Sequence, residues 1–206
     1  MEKQDWTKTP DEKELKQVIE NIKSRGINVI LVNNKSEALE KIKKIIPKGA
    51  SIANGGSTTL EQIGFIDYLK NGSHDWKNLH EEVLQERDGE KQADLRRRMV
   101  TADYFFGSVN AISRNGELVA CDATGSRVTA YPFAAKNLIL VAGYQKIANN
   151  LEDAFKRVRE HVFPLENERA KKAYGSGSTF GKWVVIEHEI FKGRTTLILV
   201  KEKLGF

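Results

Sequence analysis

The stretch from residue 102 to residue 146, ADYFFGSVNAISRNGELVACDATGSRVTAYPFAAKNLILVAGYQK, constrains this chain most. Apolar, strand-like runs alternate there with small, polar, glycine-bearing turns. Asn115-Gly116 stands between two apolar runs, and such a pair supplies the positive backbone angles of a tight turn, so residues 110–121 read as a β-hairpin. Residues 138–142, LILVA, are continuously apolar, the pattern of a strand buried on both faces, and Gly143 ends the run.

A strand buried on both faces needs helices above and below its sheet, and the remaining sequence offers them. Thr9 is placed to cap a first helix, with Pro10 at its first position, Glu12 completing a capping box, and Leu15, Val18, Ile19 and Ile22 on one face up to Gly26. Residues 27–32 read as a strand. Ser36 then opens a second amphipathic helix with Ala38, Leu39, Ile42, Ile45 and Ile46 inward, its lysines forming a solvated face. Residues 50–53 form a short strand, and residues 65–101 are charged and helical in character, interrupted at Gly72 and at Asp88-Gly89. Asn149 caps a later helix that Phe163-Pro164 terminates, a short polar helix follows, and residues 174–181 form a loop. The expected fold is a Rossmann-like three-layer α/β/α domain with a mostly parallel sheet, a hairpin, and a closing C-terminal strand pair of residues 183–186 with 195–200. No linker composition divides it. Residues 1–26 are expected as a helical extension packed on a single domain of residues 27–206.

Two loops carry the residue types of a site, and both follow strands, where open α/β sheets bind ligands. The first is Asn54-Gly55-Gly56-Ser57-Thr58-Thr59: glycines let backbone approach, free N–H groups point outward, and a helix start favours negative charge. The same residues equally describe a helix start capped by Ser or Thr. The second is Asp122-Ala123-Thr124-Gly125-Ser126-Arg127, a carboxylate, two hydroxyls and a cation within six residues. Asp122 reads either as a general acid or base or as a turn residue capping the backbone. Asn110, ahead of the hairpin, and Lys136, as a carboxylate partner, complete the candidate ligand-binding set.

The charge balance, 33 basic against 28 acidic residues for a net +5, is a mixed surface with a mild basic excess. It fits a small anionic ligand, and without aromatic-basic interleaving it gives no nucleic-acid surface. The lone Cys121 cannot form an internal disulfide. No apolar run approaches the length of a membrane span and no charged-then-apolar leader opens the chain, so a cytoplasmic location without membrane attachment is expected. His74, His80 and His188 lack partners at metal-ligand spacing, and no metal is expected. The mixed charges of residues 65–101 offer a surface for self-association or for a protein partner such as a redox protein.

PKGASIANGGSTTLEQIG, ADYFFGSVNAISRNGELVACDATGSRV, LILVAGYQKI and GRTTLILVKEKLGF together resemble the LUD-domain family, named for lactate utilisation. The resemblance covers nearly the whole chain after the first helix. It implies kinship with the group containing ribose-phosphate isomerase, glucosamine-phosphate deaminase and the CoA transferases. In that group a glycine-hydroxyl loop holds the substrate's phosphate or carboxylate and a later acidic residue moves a proton or forms an acyl intermediate. Carried across, Gly55, Gly56, Ser57 and Thr58 are the anion loop, and Asp122, Thr124, Gly125 and Arg127 the opposite wall. Some relatives carry cysteines after the late Asn-x-x-Arg helix; residues 175–180 here have none, so no iron–sulfur cluster is expected on this chain and its cofactor is left open. The isomerases' run of acidic residues is also absent. The implied roles are an organic-acid (lactate) utilisation protein binding a small anionic metabolite, a non-catalytic accessory subunit for an iron–sulfur or dehydrogenase partner, or an isomerase-like or CoA-transferase-like enzyme.

Overall fold

The structure, a computed structural model, describes residues 4–206. Residues 1–3 of the expected N-terminal extension lie outside the described residues. Helix α1 spans Glu12–Ser24 and starts two residues later than the Thr9-Pro10 pair suggests. Asp11 is the cap: its carboxylate accepts from the Glu14 N–H at 2.8 Å, and Glu14 reaches back to the Asp11 N–H at 3.2 Å, a complete capping box. Strand β1 (Asn28–Val32) follows, after Gly26 turns the chain with φ +79°. Helix α2 (Lys35–Ile45) is capped by Asn34 rather than opened by Ser36, because the Asn34 amide oxygen accepts from the Glu37 N–H.

Strand β2 (Ser51–Asn54) leads through the first candidate loop into the short helix α3 (Thr58–Gln62) and then α4 (Phe65–Lys70). The charged segment holds a two-residue edge strand, β3 (Lys77–Asn78), and helices α5 (Leu79–Gln85) and α6 (Gly89–Met99), the latter capped by Asp88. Strands β4 (Tyr104–Gly107), β5 (Ala111–Ser113), β6 (Leu118–Asp122), β7 (Asn137–Gly143) and β8 (Ile147–Ala148) come next. Helix α7 (Leu151–Arg157) has Asn150, not Asn149, at its cap, and the chain does not stop at Phe163-Pro164. A π-turn over Val158–Val162 runs directly into α8 (Phe163–Tyr174). Pro164 sits in the first turn of α8, where the wider π hydrogen bond from the Phe163 N–H to the Val158 carbonyl resets the ladder just before the residue that has no N–H to give.

The central sheet has the order β1-β10-β7-β4-β2-β3 with every neighbour parallel, where β10 is Thr195–Val200. After β1 the chain crosses to β2, adds β3 outside it, then returns through β4, β7 and β10 until it meets β1 again. Alternate side chains of its inner strands enter different clusters: Leu138, Leu140, Leu197 and Leu199 on one face, Ile139, Val141, Ile198 and Val200 on the other. This is the three-layer α/β/α arrangement. The first face also takes Leu15, Val18 and Ile22 of α1, and the second takes Ala38 and Ile42 of α2 with Leu60 and Phe65.

The expected hairpin is present as β5-β6, turning through Gly116 at φ +101°. It belongs to a second, four-stranded sheet in the order β8-β5-β6-β9, where β9 is Lys182–Ile186. The expected C-terminal strand pair does not form. β9 pairs antiparallel with β6, and β10 lies parallel between β1 and β7. The residues between them, Glu187 to Arg194, are the crossing from one sheet to the other, and that crossing is held by the buried Glu189–Arg194 pair at 2.7 Å. Among the described residues no helix is long and apolar enough to cross a membrane.

Candidate functional site

Three adjacent parallel strands, β2, β4 and β7, deliver their carboxyl ends to one place. Between β2 and β4 the connections leave in opposite directions, from β2 outward to β3 and from β4 back toward β7, the kind of switch point at which open α/β sheets hold ligands. After β2 comes Gly55 to Thr59, after β4 comes Ser108, and after β7 comes Lys146. They converge: the Lys146 ammonium donates to Thr59 Oγ1 at 3.0 Å, to Ser108 Oγ at 3.1 Å and to the Val109 carbonyl at 3.1 Å.

In the first loop Ser57 is the helix cap, its hydroxyl accepting from the Leu60 N–H at 3.3 Å. The Gly55 N–H is already given to the Phe106 carbonyl. The N–H groups of Gly56, Ser57 and Thr58 have no acceptor among the described residues, and Gly56 is open to solvent. Asn54 is buried and turns its amide toward Gly55. Behind it, burial lowers the pKa of the His80 imidazole while the Asn54 backbone opposes the shift.

The second loop meets the first through Arg127. A Cβ placed on Gly55 would lie 2.5–2.8 Å from the Arg127 side-chain carbons, so the arginine stem occupies the space a side chain there would need. Its guanidinium donates to the Cys121 carbonyl at 2.6 Å and to the Ser108 carbonyl at 3.4 Å. Ser108 is thus shared, its carbonyl also taking the hydroxyl of the buried Tyr131. Asp122 faces inward, but its oxygens serve the backbone: Oδ2 accepts from the N–H groups of Arg127 at 2.9 Å and Val128 at 3.4 Å, and Oδ1 from Thr124 at 3.2 Å. This is the capping geometry of a turn residue. Its contact with the Arg127 side chain is longer, at 4.0 Å.

Other candidates stand apart. Thr124 and Ser126 are exposed and bond each other through their hydroxyls at 3.0 Å. Gly125 makes the turn at φ +90°. Asn110 ties the hairpin together, its side chain accepting from the Cys121 N–H at 2.8 Å. Lys136 does not join the set. It precedes β7, so it lies at the amino end of the parallel strands, exposed beside Asp103 at 3.6 Å, on a groove of about 440 Å³ shared with Phe133 and Phe191.

Ser108, Lys146 and Arg157 are the residues that sequence reasoning passed over. Arg157 projects from the end of α7, is 1% exposed, and donates to the main-chain oxygens of Asn110 at 2.6 Å, Phe206 at 3.2 Å and Trp6 at 3.3 Å. Burial lowers its pKa to about 10. Lys146 is 3% exposed; burial, then the nearby Arg157 and Arg127, hold its pKa well below the ordinary lysine value. Three basic side chains therefore gather around residues 108–110, and neither Lys146 nor Arg157 has an Asp or Glu partner among the described residues. The available signal was positional: the rule that ligands lie beyond strand carboxyl ends applies to FFGS and to VAGYQK as well as to the two loops chosen. No group of three or more His, Cys, Asp or Glu side chains that could hold a metal ion occurs among the described residues.

The fold and this cluster define a three-layer α/β protein with a cation-rich center at the carboxyl ends of a parallel sheet. The LUD domain matches residues 15–200, and the chain belongs to the LUD-domain family. The crystal structure of a DUF162 family protein from Deinococcus radiodurans is similar in fold, with a TM-score of 0.53 and 14% identity over 91% of this chain and 96% of that one. Ribose 5-phosphate isomerase from Plasmodium falciparum gives a TM-score of 0.33 and 16% identity over 66% of each chain. No curated protein matches the chain.

Proposed function

We propose that this LUD-domain protein binds a small organic anion of the lactate and pyruvate class between the Gly55–Thr59 and Asp122–Arg127 loops, in the service of organic-acid utilisation. The observation that carries the reading is the Arg127 stem lying across Gly55, which packs the second loop on the first, whose Gly56, Ser57 and Thr58 N–H groups have no acceptor among the described residues. A carboxylate there would accept from those N–H groups and pair with Arg127, a charge-assisted arrangement stronger than neutral hydrogen bonds. Asp122 holds the backbone of Arg127 and so sets where the cation sits; with its oxygens engaged by backbone N–H groups, it acts as a positioning residue. The family's association with lactate supports the substrate class.

The test is thermal unfolding of the purified protein with lactate, pyruvate, inorganic phosphate, sugar phosphates and acyl-CoAs. A ligand at about one hundred times its dissociation constant adds roughly 2.7 kcal/mol, a rise of several degrees for a domain of this size. Lactate or pyruvate should raise the midpoint, and Arg127→Met should abolish the rise. A rise with sugar phosphate alone would replace the substrate class, and no rise with any anion would overturn the reading.

A further inference from the structure

The central sheet ends in two edge strands of opposite character. β3 is two residues long and carries Lys77, a short charged edge of the kind that discourages further pairing. β1 is five residues long, and from Ile27 to Val32 the chain has no charge, no proline and no glycine. Its one strand neighbor among the described residues is β10. The Val32 carbonyl accepts from the Lys201 N–H at 3.0 Å, so Val32 turns its main chain toward β10, and by the alternation of a strand Asn28 and Ile30 do the same. Val29 and Leu31 therefore turn their N–H and C=O groups outward, where neither residue has a hydrogen-bond partner among the described residues. Leu31 is 41% exposed on this edge. An open apolar edge is a template for another strand.

The helix beside the edge selects the strand that fits. α2 lies over β1 and β10. Its Lys43 reaches over the Tyr68 ring of α4 and its Leu39 approaches Gly64, so that side faces the middle of the sheet. By the helical period the opposite side carries Glu37, Lys41 and Lys44 and overhangs β1. The Glu37 carboxylate bonds only to the neutral Asn33 and Asn34, and neither Lys41 nor Lys44 has a salt bridge among the described residues. Charge thus reverses along the overhanging side, acid in the first turn and base beyond it. We propose that β1 pairs with β1 of a second copy of this chain, antiparallel about a two-fold axis through Ile30, so that two central sheets become one. Val29 of each copy exchanges both main-chain hydrogen bonds with Leu31 of the other, and the two Ile30 residues lie opposite between them. The same axis lays the two α2 helices antiparallel. α2 starts beyond the end of β1 and runs back alongside it, so its middle turns are level with Ile30, and Glu37 and Lys44 lie about 10 Å apart along it. Glu37 of each copy then comes opposite Lys44 of the other. A strand flanked by like charge would lack this match.

The experiment is sedimentation equilibrium of the full chain, with amide hydrogen exchange followed at low and high protein concentration. The wild type should sediment at twice the mass of one chain. Its Val29 and Leu31 amides should exchange more slowly as concentration rises, while the Ile30 amide, already given to β10, should not change. Leu31→Pro removes an N–H that the sheet does not use and sets a ring in the path of the incoming strand, so it should give a folded monomer. Lys44→Glu and Glu37→Lys should each raise the dimer dissociation constant at least severalfold. Mixing those two variants should restore the dimer, because each supplies the charge the other lacks, and this recovery carries the test should Leu31→Pro fail to fold. A chain that stays monomeric at the concentrations used for exchange overturns the pairing. So does a dimer whose Val29 and Leu31 amides exchange alike at every concentration, which would put self-association on another face such as α5 and α6. A dimer that the charge variants leave untouched overturns the antiparallel placement of α2.

Discussion

At the residue scale, the site's geometry depends on what Gly55 lacks and on what Asp122 holds. Gly55 has no positive φ, so its role is space and not backbone conformation. Gly55→Ala should therefore push the root of the Arg127 side chain aside, costing about 1–3 kcal/mol as overpacking does, with anion affinity falling at least severalfold. Asp122→Ala acts differently: it removes a cap of the kind worth about 1 kcal/mol, so it should lower the unfolding midpoint and the affinity by freeing the Arg127 backbone. Titration checks both, and equal affinity in Gly55→Ala and wild type would show that the loops do not act together. The residues of both loops could be read from the sequence because glycine, hydroxyl and acid types cluster there within a few positions. Their closure on Arg127 could not, since nothing local to either loop encodes the other. Lys146 is a harder case. A single lysine after an apolar strand looks like any surface lysine, and its burial arises only where the ends of β2, β4 and β7 meet residues 204–206.

At the element scale, periodicity gave most helices and strands to within a residue or two but could not give partners. Residues 183–186 and 195–200 both have strand character and are close in sequence, which suggests a hairpin. The decisive difference is that β10 is buried along its entire length, as an inner strand of a parallel sheet must be, whereas β9 is largely half-exposed. The π-turn before Pro164 escaped for a similar reason: proline reads as a stop, and only the hydrogen-bond shift at Phe163 lets the helix pass. The segment between β9 and β10 turns on one ion pair. Glu189 accepts from Arg194 and from the Thr195 hydroxyl at 2.7 Å each, while Arg194 also donates to the carbonyls of Tyr131 and Ala135. Burial pushes the Glu189 carboxyl up, but these bonds outweigh it and hold its pKa below the ordinary value. Its stabilization is thus full above the ordinary glutamate range and lost as pH falls through the lowered folded value. Glu189→Ala leaves the Arg194 charge buried and unpaired and should cost about 3–5 kcal/mol in urea unfolding at pH 7. A loss below about 1 kcal/mol, the level of an exposed pair, would show that the crossing is held by packing instead.

At the scale of the whole molecule, the two sheets and the helices between them concentrate positive charge at one end of the parallel strands, and that charge leaves a mark on stability. Lys146 has a folded pKa well below its ordinary 10.5, first because it is buried and then because Arg157 and Arg127 are near. Between the two values the unfolded chain carries a proton that the folded chain does not, so stability rises with pH across that window and the cost of burying Lys146 is greatest below it. Neighboring groups act elsewhere or in the opposite sense: burial raises the Cys121 thiol and the Tyr131 phenol, whose contributions fall as pH climbs past about 9, and Arg157 titrates near 10. The informative comparison is therefore wild type against Lys146→Met from pH 6 up to the ordinary lysine range, where the other groups cancel in the difference. Urea midpoints of the wild type should climb with pH more steeply than those of the variant. Saturating anion should remove the excess slope, because a bound negative charge favors the ammonium and draws its pKa back up. Parallel slopes without ligand would mean that Lys146 stays charged in the folded protein throughout this range, and the uncompensated cation at the center of the site would then have to be balanced by its hydroxyl and carbonyl neighbors alone.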